Sequence, residues 1–206
     1  MRSQSWYIIK IESLIIGGIM AIDTSLANHL IVAMPSLTDP NFERSVIYIC
    51  EHHVQGTVGL IINRPMQYPL SMVFEQMNIE PSSDKQNTRP LLFGGPVQPE
   101  RGFVIHRPTG GWRSSLSLRD DVTVTTSNDI IRAIADDNGP EDALVTLGYA
   151  GWTENQLEKE VMANVWLVCP YKAELLYDVP FEKRWEYAGL SIGVKMSQLS
   201  SDVGHA

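Results

Sequence analysis

The sequence has 206 residues, the size of one domain or of one domain with an appendage. Sixteen Lys and Arg against 24 Asp and Glu give a formal net charge of -8, which argues against a protein built to hold nucleic acid or to lie on an anionic membrane. Two cysteines, Cys50 and Cys169, are too few for a disulfide-stapled secreted scaffold. We therefore expect an acidic, cytoplasmic, globular protein.

Residues 1–19 differ in character from the rest of the chain. The uninterrupted apolar stretch here, Leu14–Ile22, is far shorter than the roughly 20 residues that a membrane-spanning helix needs. A secretory signal is one interpretation, since Arg2 and Lys10 precede that stretch and could form its basic N-terminal region. The other is that Met20 is the natural start. We favour the second interpretation, which makes 1–19 a non-native or disordered extension and 20–206 a single domain.

The first part of that domain predicts a strand, a hairpin and a helix. Apolar and β-branched runs predict strands over 30–34, 45–51 and 57–63, and the last two form an antiparallel hairpin. Turn chemistry surrounds Asp39 and Pro40 between the first two strands. Apolar residues at spacings of three, four and seven predict a helix over 69–77.

The second part alternates strands and helices after a polar loop over 80–90. Strands are predicted over 91–93, 102–106, 122–126, 143–148 and 165–169. Helices are predicted after the N-cap Ser127, after a capping box from Thr153 to Gln156, and over 180–190. Because strands occur both in adjacent pairs and between helices, the class is α+β with a mixed, mostly antiparallel sheet.

Two glycine-containing segments invite comparison with phosphate-binding loops. Gly94-Gly95 lacks the third glycine or the lysine that nucleotide loops use. Gly148–Gly151 lies between a predicted strand and helix, but Trp152 and Glu154 stand where a phosphate requires small or basic residues. A tight turn with a positive φ is the favoured interpretation of Gly148–Gly151.

The segment Cys50-Glu51-His52-His53 is the densest reactive cluster. An unbroken strand puts Cys50 and His52 on one face, and a small buried apolar residue is favoured over a nucleophile at Cys50. A metal site from His52, His53, His106 and Glu51 is the next hypothesis, but adjacent strand residues diverge and we expect no metal.

Three charged residues, Asp39, Arg44 and Arg64, stand beside predicted strand ends. They suit ion pairs that fix the turn around Asp39-Pro40, which is the favoured interpretation. Arg64 alternatively receives an anionic ligand, because a guanidinium matches carboxylates and phosphates.

An ordered set of segments resembles the YqgE/AlgH family of bacterial proteins. The similarity runs from about Leu26 to about Leu199 and includes LANHLIVAMPSLTDPNFERSVIYICEH, GTVGLIINRP, LLFGGPV and LVTLGYAGWTENQLEKEVMANVW. The resemblance implies a single α+β domain whose bifurcated, mostly antiparallel sheet curls into a pseudo-barrel with helices outside. It supplies no established catalytic residues and no cofactor, and some members are labelled transcriptional regulators.

Residues in the most characteristic segments form the candidate ligand or partner surface. They are Asp39, Arg44, Glu51, His52, Asn63, Arg64, Gly94 and Gly95. The favoured function is a non-enzymatic regulator that binds another protein, without direct contact to DNA or membrane. The alternatives are a small-molecule binder or enzyme with a cleft near Glu51, His52 and Arg64, and a ribosome-associated regulator that contacts ribosomal proteins.

Overall fold

The structure is a computed structural model that describes residues 25–199. The expectation for residues 1–19 lies outside this range. Within it the strands are β1 (His29–Ala33), β2 (Val46–His53), β3 (Gly56–Ile61), β4 (Pro65–Pro69), β5 (Pro90–Phe93), β6 (Val97–His106), β7 (Ser115–Arg119), β8 (Val122–Thr125), β9 (Ala143–Thr153) and β10 (Trp166–Pro170). The helices are α1 (Ser71–Gln76), α2 (Asp84–Asn87), α3 (Asn128–Ala135), α4 (Gln156–Met162), α5 (Ala173–Tyr177) and α6 (Arg184–Leu190), and 3-10 turns cover Phe181–Lys183 and Met196–Gln198.

All ten strands belong to one sheet, which forks along the long strand β9. The main path runs β10-β1-β2-β3-β9-β6-β8-β7, and β4 and β5 branch from it. Along one edge, β9 pairs with β5 near Thr146 and with β3 near Ala150, while its other edge pairs with β6. The β5–β9 pair is parallel and the others are antiparallel. The result is the predicted single α+β domain, with a mostly antiparallel, bifurcated sheet curled into a half-barrel.

Three clusters of buried side chains hold the helices on the sheet. One cluster joins β1, β2, β3 and β6 to α5 and α6, with Tyr48 and Leu176 among its fully buried members. The other face carries two clusters, one around Leu157 of α4 and one around Phe74 of α1 and Ile130 of α3. Because neighbouring strand residues point to opposite faces, Leu144 belongs to the first cluster and Val145 to the third.

Most predicted elements are confirmed, but some bounds differ and four elements are additional. The strand predicted over 143–148 continues to Thr153, so the predicted turn at Gly148–Gly151 is wrong, although Gly148 has φ +71. The strand predicted from Gly102 begins at Val97, and β4, β7, α2 and α5 were not predicted. At the predicted capping box Gln156 does accept a bond from the Thr153 amide, but Asn155 is the N-cap.

Candidate functional site

Asn63 and Arg64 hold the loop that connects β1 to β2. The Asn63 side chain donates to the carbonyl of Arg44 at 2.9 Å and accepts from the amide of Val46 at 2.8 Å. The Arg64 guanidinium donates to the carbonyls of Pro40 at 2.6 Å and Glu43 at 2.9 Å. Two donors of a rigid planar fork are thus used on the protein's own backbone. Arg64 therefore fixes the turn around Asp39-Pro40 as predicted, but it does so through backbone carbonyl oxygens and not through ion pairs with carboxylates.

Asp39 and Arg44 lie in the same loop with different surroundings. The Asp39 carboxylate accepts from the amide of Asn41 at 2.7 Å, a local turn contact. Arg44 has φ +52, a left-handed conformation uncommon for residues other than glycine, and its guanidinium lies 5.4 Å from the ring centre of Trp185. Neither the Asp39 nor the Arg44 side chain forms an ion pair with another residue in 25–199.

His52 and Glu51 lie near the opposite end of β2. The amide of Leu26 donates to Nδ1 of His52 at 2.9 Å, so the proton of the neutral ring is on Nε2. That nitrogen faces Glu158 Oε1 at 2.9 Å, which fixes the ring between the start of the described chain and α4. Glu51 has a looser contact, 3.8 Å, with exposed His53.

A β-bulge separates Cys50 from His52. Ile49 pairs with Gly59 and Glu51 with Val58, so Cys50 is the extra residue. Cys50 packs with Tyr48 in the cluster under α5 and α6, whereas His52 reaches Glu158 on α4 across the sheet. The expectation of one shared face is therefore wrong. Burial, with a smaller effect from Glu51, raises the pKa of the Cys50 thiol, which disfavours a nucleophilic thiolate.

Gly94 and Gly95 form the fork of the sheet. The Gly94 amide donates to Leu147 of β9 at 2.8 Å, and its carbonyl accepts from Ile61 of β3 at 2.9 Å. Gly95 has φ +152, and a Cβ there would lie 2.1 Å from the carbonyl carbon of Tyr149. These glycines permit close backbone approach where β5 leaves β9 and β3 replaces it.

The eight candidate residues therefore occupy three places. Asp39, Arg44, Asn63 and Arg64 surround the β1–β2 loop, Glu51 and His52 lie near the β2–β3 turn, and the glycines lie at the fork. The rise along β2 separates Val46 from His52 by on the order of 20 Å. The single cleft expected near Glu51, His52 and Arg64 is not formed.

The metal hypothesis joined residues that the fold separates. His106 is 1% exposed and lies between the carbonyl of Arg107 at 2.7 Å and the Thr125 hydroxyl at 2.9 Å. His52 is bound by Leu26 and Glu158. Among residues 25–199 no group of three or more His, Cys, Asp or Glu side chains is arranged to hold a metal ion.

Arg184 is an organising residue that the sequence did not reveal. It is 2% exposed and donates to the carbonyls of Ile62, Leu176 and Val179, with its guanidinium 4.4 Å from the ring centre of Phe181. Burial lowers its pKa to about 10. In the sequence it appears beside Lys183 as one of two adjacent bases; its burial removes that pair as a nucleic-acid contact.

Two surface grooves lie outside the predicted residues, except for Arg44. One, of about 580 Å³, lies between α2 and the end of α3, where Asp137 accepts bonds from Ser83 and Gln86. The other, of about 500 Å³, lies between the β1–β2 loop, α6 and Leu199. No helix within residues 25–199 is long and apolar enough to cross a membrane.

The comparisons with known proteins agree with this fold. The sequence profile of the AlgH-like family, DUF179, matches residues 30–197, and the chain belongs to this family. A UPF0301 protein of Legionella pneumophila (strain Corby) is 74% identical over 187 residues, which are 91% of this chain and 100% of the relative. A UPF0301 protein of Chromobacterium violaceum is 45% identical, over 88% and 98% of the two chains.

Two solved structures share the architecture. The solution structure of the AlgH protein from Pseudomonas aeruginosa matches with a TM-score of 0.74 and 42% identity, over 89% of this chain and 97% of that one. A crystal structure from Corynebacterium diphtheriae matches with a TM-score of 0.61 at 20% identity, over 79% and 85% of the chains. The second supports the fold alone.

Proposed function

We propose that this protein is a non-enzymatic cytoplasmic regulator that binds another protein along the free edge of β7. This edge carries the proposal, because β7 ends the main path of the sheet and pairs, within residues 25–199, with β8 and no other strand. An unpaired edge presents backbone donors and acceptors that an extended peptide can complete.

The other edges of the sheet are less accessible to a partner strand. β4 begins and ends with proline, which cannot donate to a ladder, and β10 ends at Pro170 with α4 and α6 beside it. β7 contains no proline, and Leu116, which pairs with Val124 of the core, is 44% exposed. A partner strand that pairs with β7 and places an apolar side chain beside Leu116 would continue the line of apolar side chains formed by Val124 and Leu116.

The edge is short and held in place. Ser115 contacts the Thr125 hydroxyl at 2.7 Å and donates to the carbonyl of Trp112 at 2.8 Å. A β-bulge at Leu118 limits the regular part to Ser115–Ser117. A short preorganised edge suits a transient regulatory contact rather than a permanent complex.

The test is affinity capture from the native bacterium followed by mass spectrometry. A lysine at an edge opposes strand addition, so Leu116→Lys is compared with Tyr68→Lys, which changes a 54% exposed residue on β4. We expect a partner that wild type and Tyr68→Lys retain and that Leu116→Lys loses by about tenfold or more, a loss of about 1.4 kcal/mol. Thermal unfolding verifies that both variants are folded.

Two results contradict the proposal. One is a partner that Leu116→Lys retains at the wild-type level. The other is tight, sequence-selective binding of promoter DNA in a gel shift at physiological salt, which a chain with a formal net charge of -8 is not expected to give.

A further inference from the structure

The groove beside α6 contains a cation, Arg44, that no carboxylate among the described residues pairs with. Within residues 25–199 the Arg44 guanidinium forms no ion pair and donates no hydrogen bond. Its central carbon lies over the Trp185 ring, 5.4 Å from the ring centre. Stacking uses the face of a guanidinium and leaves its edge N–H groups available. The donors suited to a planar oxyanion are therefore unused at the mouth of a groove.

Both parts of this platform are held in position. The carbonyl of Arg44 accepts from Asn63 at 2.9 Å, which supports the left-handed backbone, and the Trp185 indole donates to the carbonyl of Ala33 at 2.8 Å. A ligand that binds here therefore meets a fixed indole ring and a fixed backbone under the Arg44 side chain, and preorganisation of this kind favours affinity.

The remaining walls indicate the chemistry of the ligand. Apolar surface comes from Pro35 and Leu199 as well as Trp185, while Met196 lies fully buried beneath them. Glu186 adds one negative charge, and both of its oxygens are already used by Ser197, at 3.1 Å from the amide and 3.0 Å from the hydroxyl. A fixed carboxylate repels a dianion more strongly than a monoanion.

We propose that this groove binds a small monocarboxylate with a compact apolar body. The carboxylate pairs with the edge of Arg44, the apolar body covers Trp185 and Leu199, and Glu186 selects against phosphate. The groove has a volume of about 500 Å³ and is open to solvent on one side, so it holds a small ligand against its floor. This inference is independent of the β7 edge, which can fail without affecting it.

The test follows the Trp185 indole N–H by NMR in the full-length, isotope-labelled protein, with Trp185→Phe to assign the resonance. The probe is N-acetyl-leucine, compared with its neutral amide and with inorganic phosphate. We expect saturable shifts with the acid, binding weaker by about tenfold or more with the amide, and weaker binding of phosphate.

Variants separate the guanidinium from general charge. Arg44→Gln is expected to weaken binding of the acid by about tenfold or more, and Arg44→Lys to recover part of it, because an ammonium keeps the charge but lacks the fork. Arg132→Gln removes an exposed arginine on α3 and leaves binding unchanged. Unaltered Trp152 and Trp166 indole signals verify the fold of each variant.

The proposal is overturned if the acid and its amide bind equally, if Arg44→Gln binds as wild type does, or if no saturable shift occurs. Phosphate that binds as tightly as the acid overturns the assignment of an apolar monocarboxylate.

Discussion

Glu160 holds α4 against the sheet through two tryptophans. One of its oxygens accepts from the indoles of Trp152 at 2.9 Å and Trp166 at 2.8 Å, and the other accepts from Gln156 at 2.9 Å. Both indoles are almost fully buried, and Phe42 of the β1–β2 loop packs against their rings. Removal of the carboxylate leaves two buried N–H groups without an acceptor.

We predict that Glu160→Ala lowers the free energy of unfolding by about 2–4 kcal/mol, because each buried donor left unpaired costs about 1–3 kcal/mol. Urea denaturation followed by circular dichroism measures the change. Glu154→Ala, an exposed neighbour, is the control and stays within about 0.5 kcal/mol of wild type. A Glu160→Ala effect no larger than the control would contradict this role.

His106 gives the stability a dependence on pH. Burial lowers its pKa from the ordinary 6.5, against a smaller opposing effect of its bond to the carbonyl of Arg107. Below pH 6.5 the unfolded chain therefore takes up a proton that the folded chain does not, and the folded state loses stability as pH falls toward the lowered pKa.

We predict a contribution of up to about 1.4 kcal/mol per pH unit below pH 6.5, which His106→Asn removes. Urea denaturation at several pH values between about 5 and 8 measures it. His53→Asn, at a 59% exposed side chain, is the control and keeps the wild-type slope. An unchanged slope in His106→Asn would refute the assignment.

Single residues also mark the limit of prediction from sequence. The residue types around the Asp39-Pro40 turn indicated that Arg64 fixes it, yet its carbonyl acceptors are invisible in a sequence because every residue has one. The bulge at Cys50 has no composition signal and reverses the face of every later residue in β2. The alternation of residues along the strand therefore predicted the burial of Cys50 correctly but placed His52 on the wrong face of the sheet.

At the scale of elements, prediction succeeded where local pattern and burial agree. β1 and β10 are apolar runs ended by turn residues, β8 alternates valine and threonine, and α3 has the expected isoleucine face. β4 and β7 were missed because edge strands are exposed and rich in proline or serine, so that only their pairing defines them. Gly148 suggested a turn, but its positive φ serves the close approach of the Gly95 and Val97 backbone to β9 at the fork.

That close approach gives a prediction for the fork. Gly95→Ala would place a Cβ 2.1 Å from the carbonyl carbon of Tyr149 at φ +152, and the atoms it meets are backbone of β9, which cannot move aside as a side chain could. We expect a loss of more than about 4 kcal/mol and little soluble protein. Gly102→Ala on β6, where nothing lies within 4 Å of the added carbon, stays within about 1 kcal/mol of wild type. Thermal unfolding of both variants decides, and a folded, stable Gly95→Ala would refute the fork as a constraint.

At the scale of the whole molecule, β9 unites the structure. Its residues belong to all three core clusters, from Leu144 in the first to Trp152 in the second and Val145 in the third. Both branches of the sheet pair with β9, so the loss of packing in one branch disrupts the strand on which the other depends. We therefore expect one cooperative unfolding transition, with calorimetric and van't Hoff enthalpies in a ratio of about 1. Two separate calorimetric transitions would contradict this expectation.

The pairing of β1 with β10 has a consequence for synthesis on the ribosome. His29 lies opposite Pro170, so one of the earliest strands to emerge waits for one of the last before that edge is closed. At 5–20 residues per second, the interval is on the order of ten seconds. During that time an apolar strand edge is open to other nascent chains, and a chaperone that covers extended segments is expected to raise the yield of folded protein.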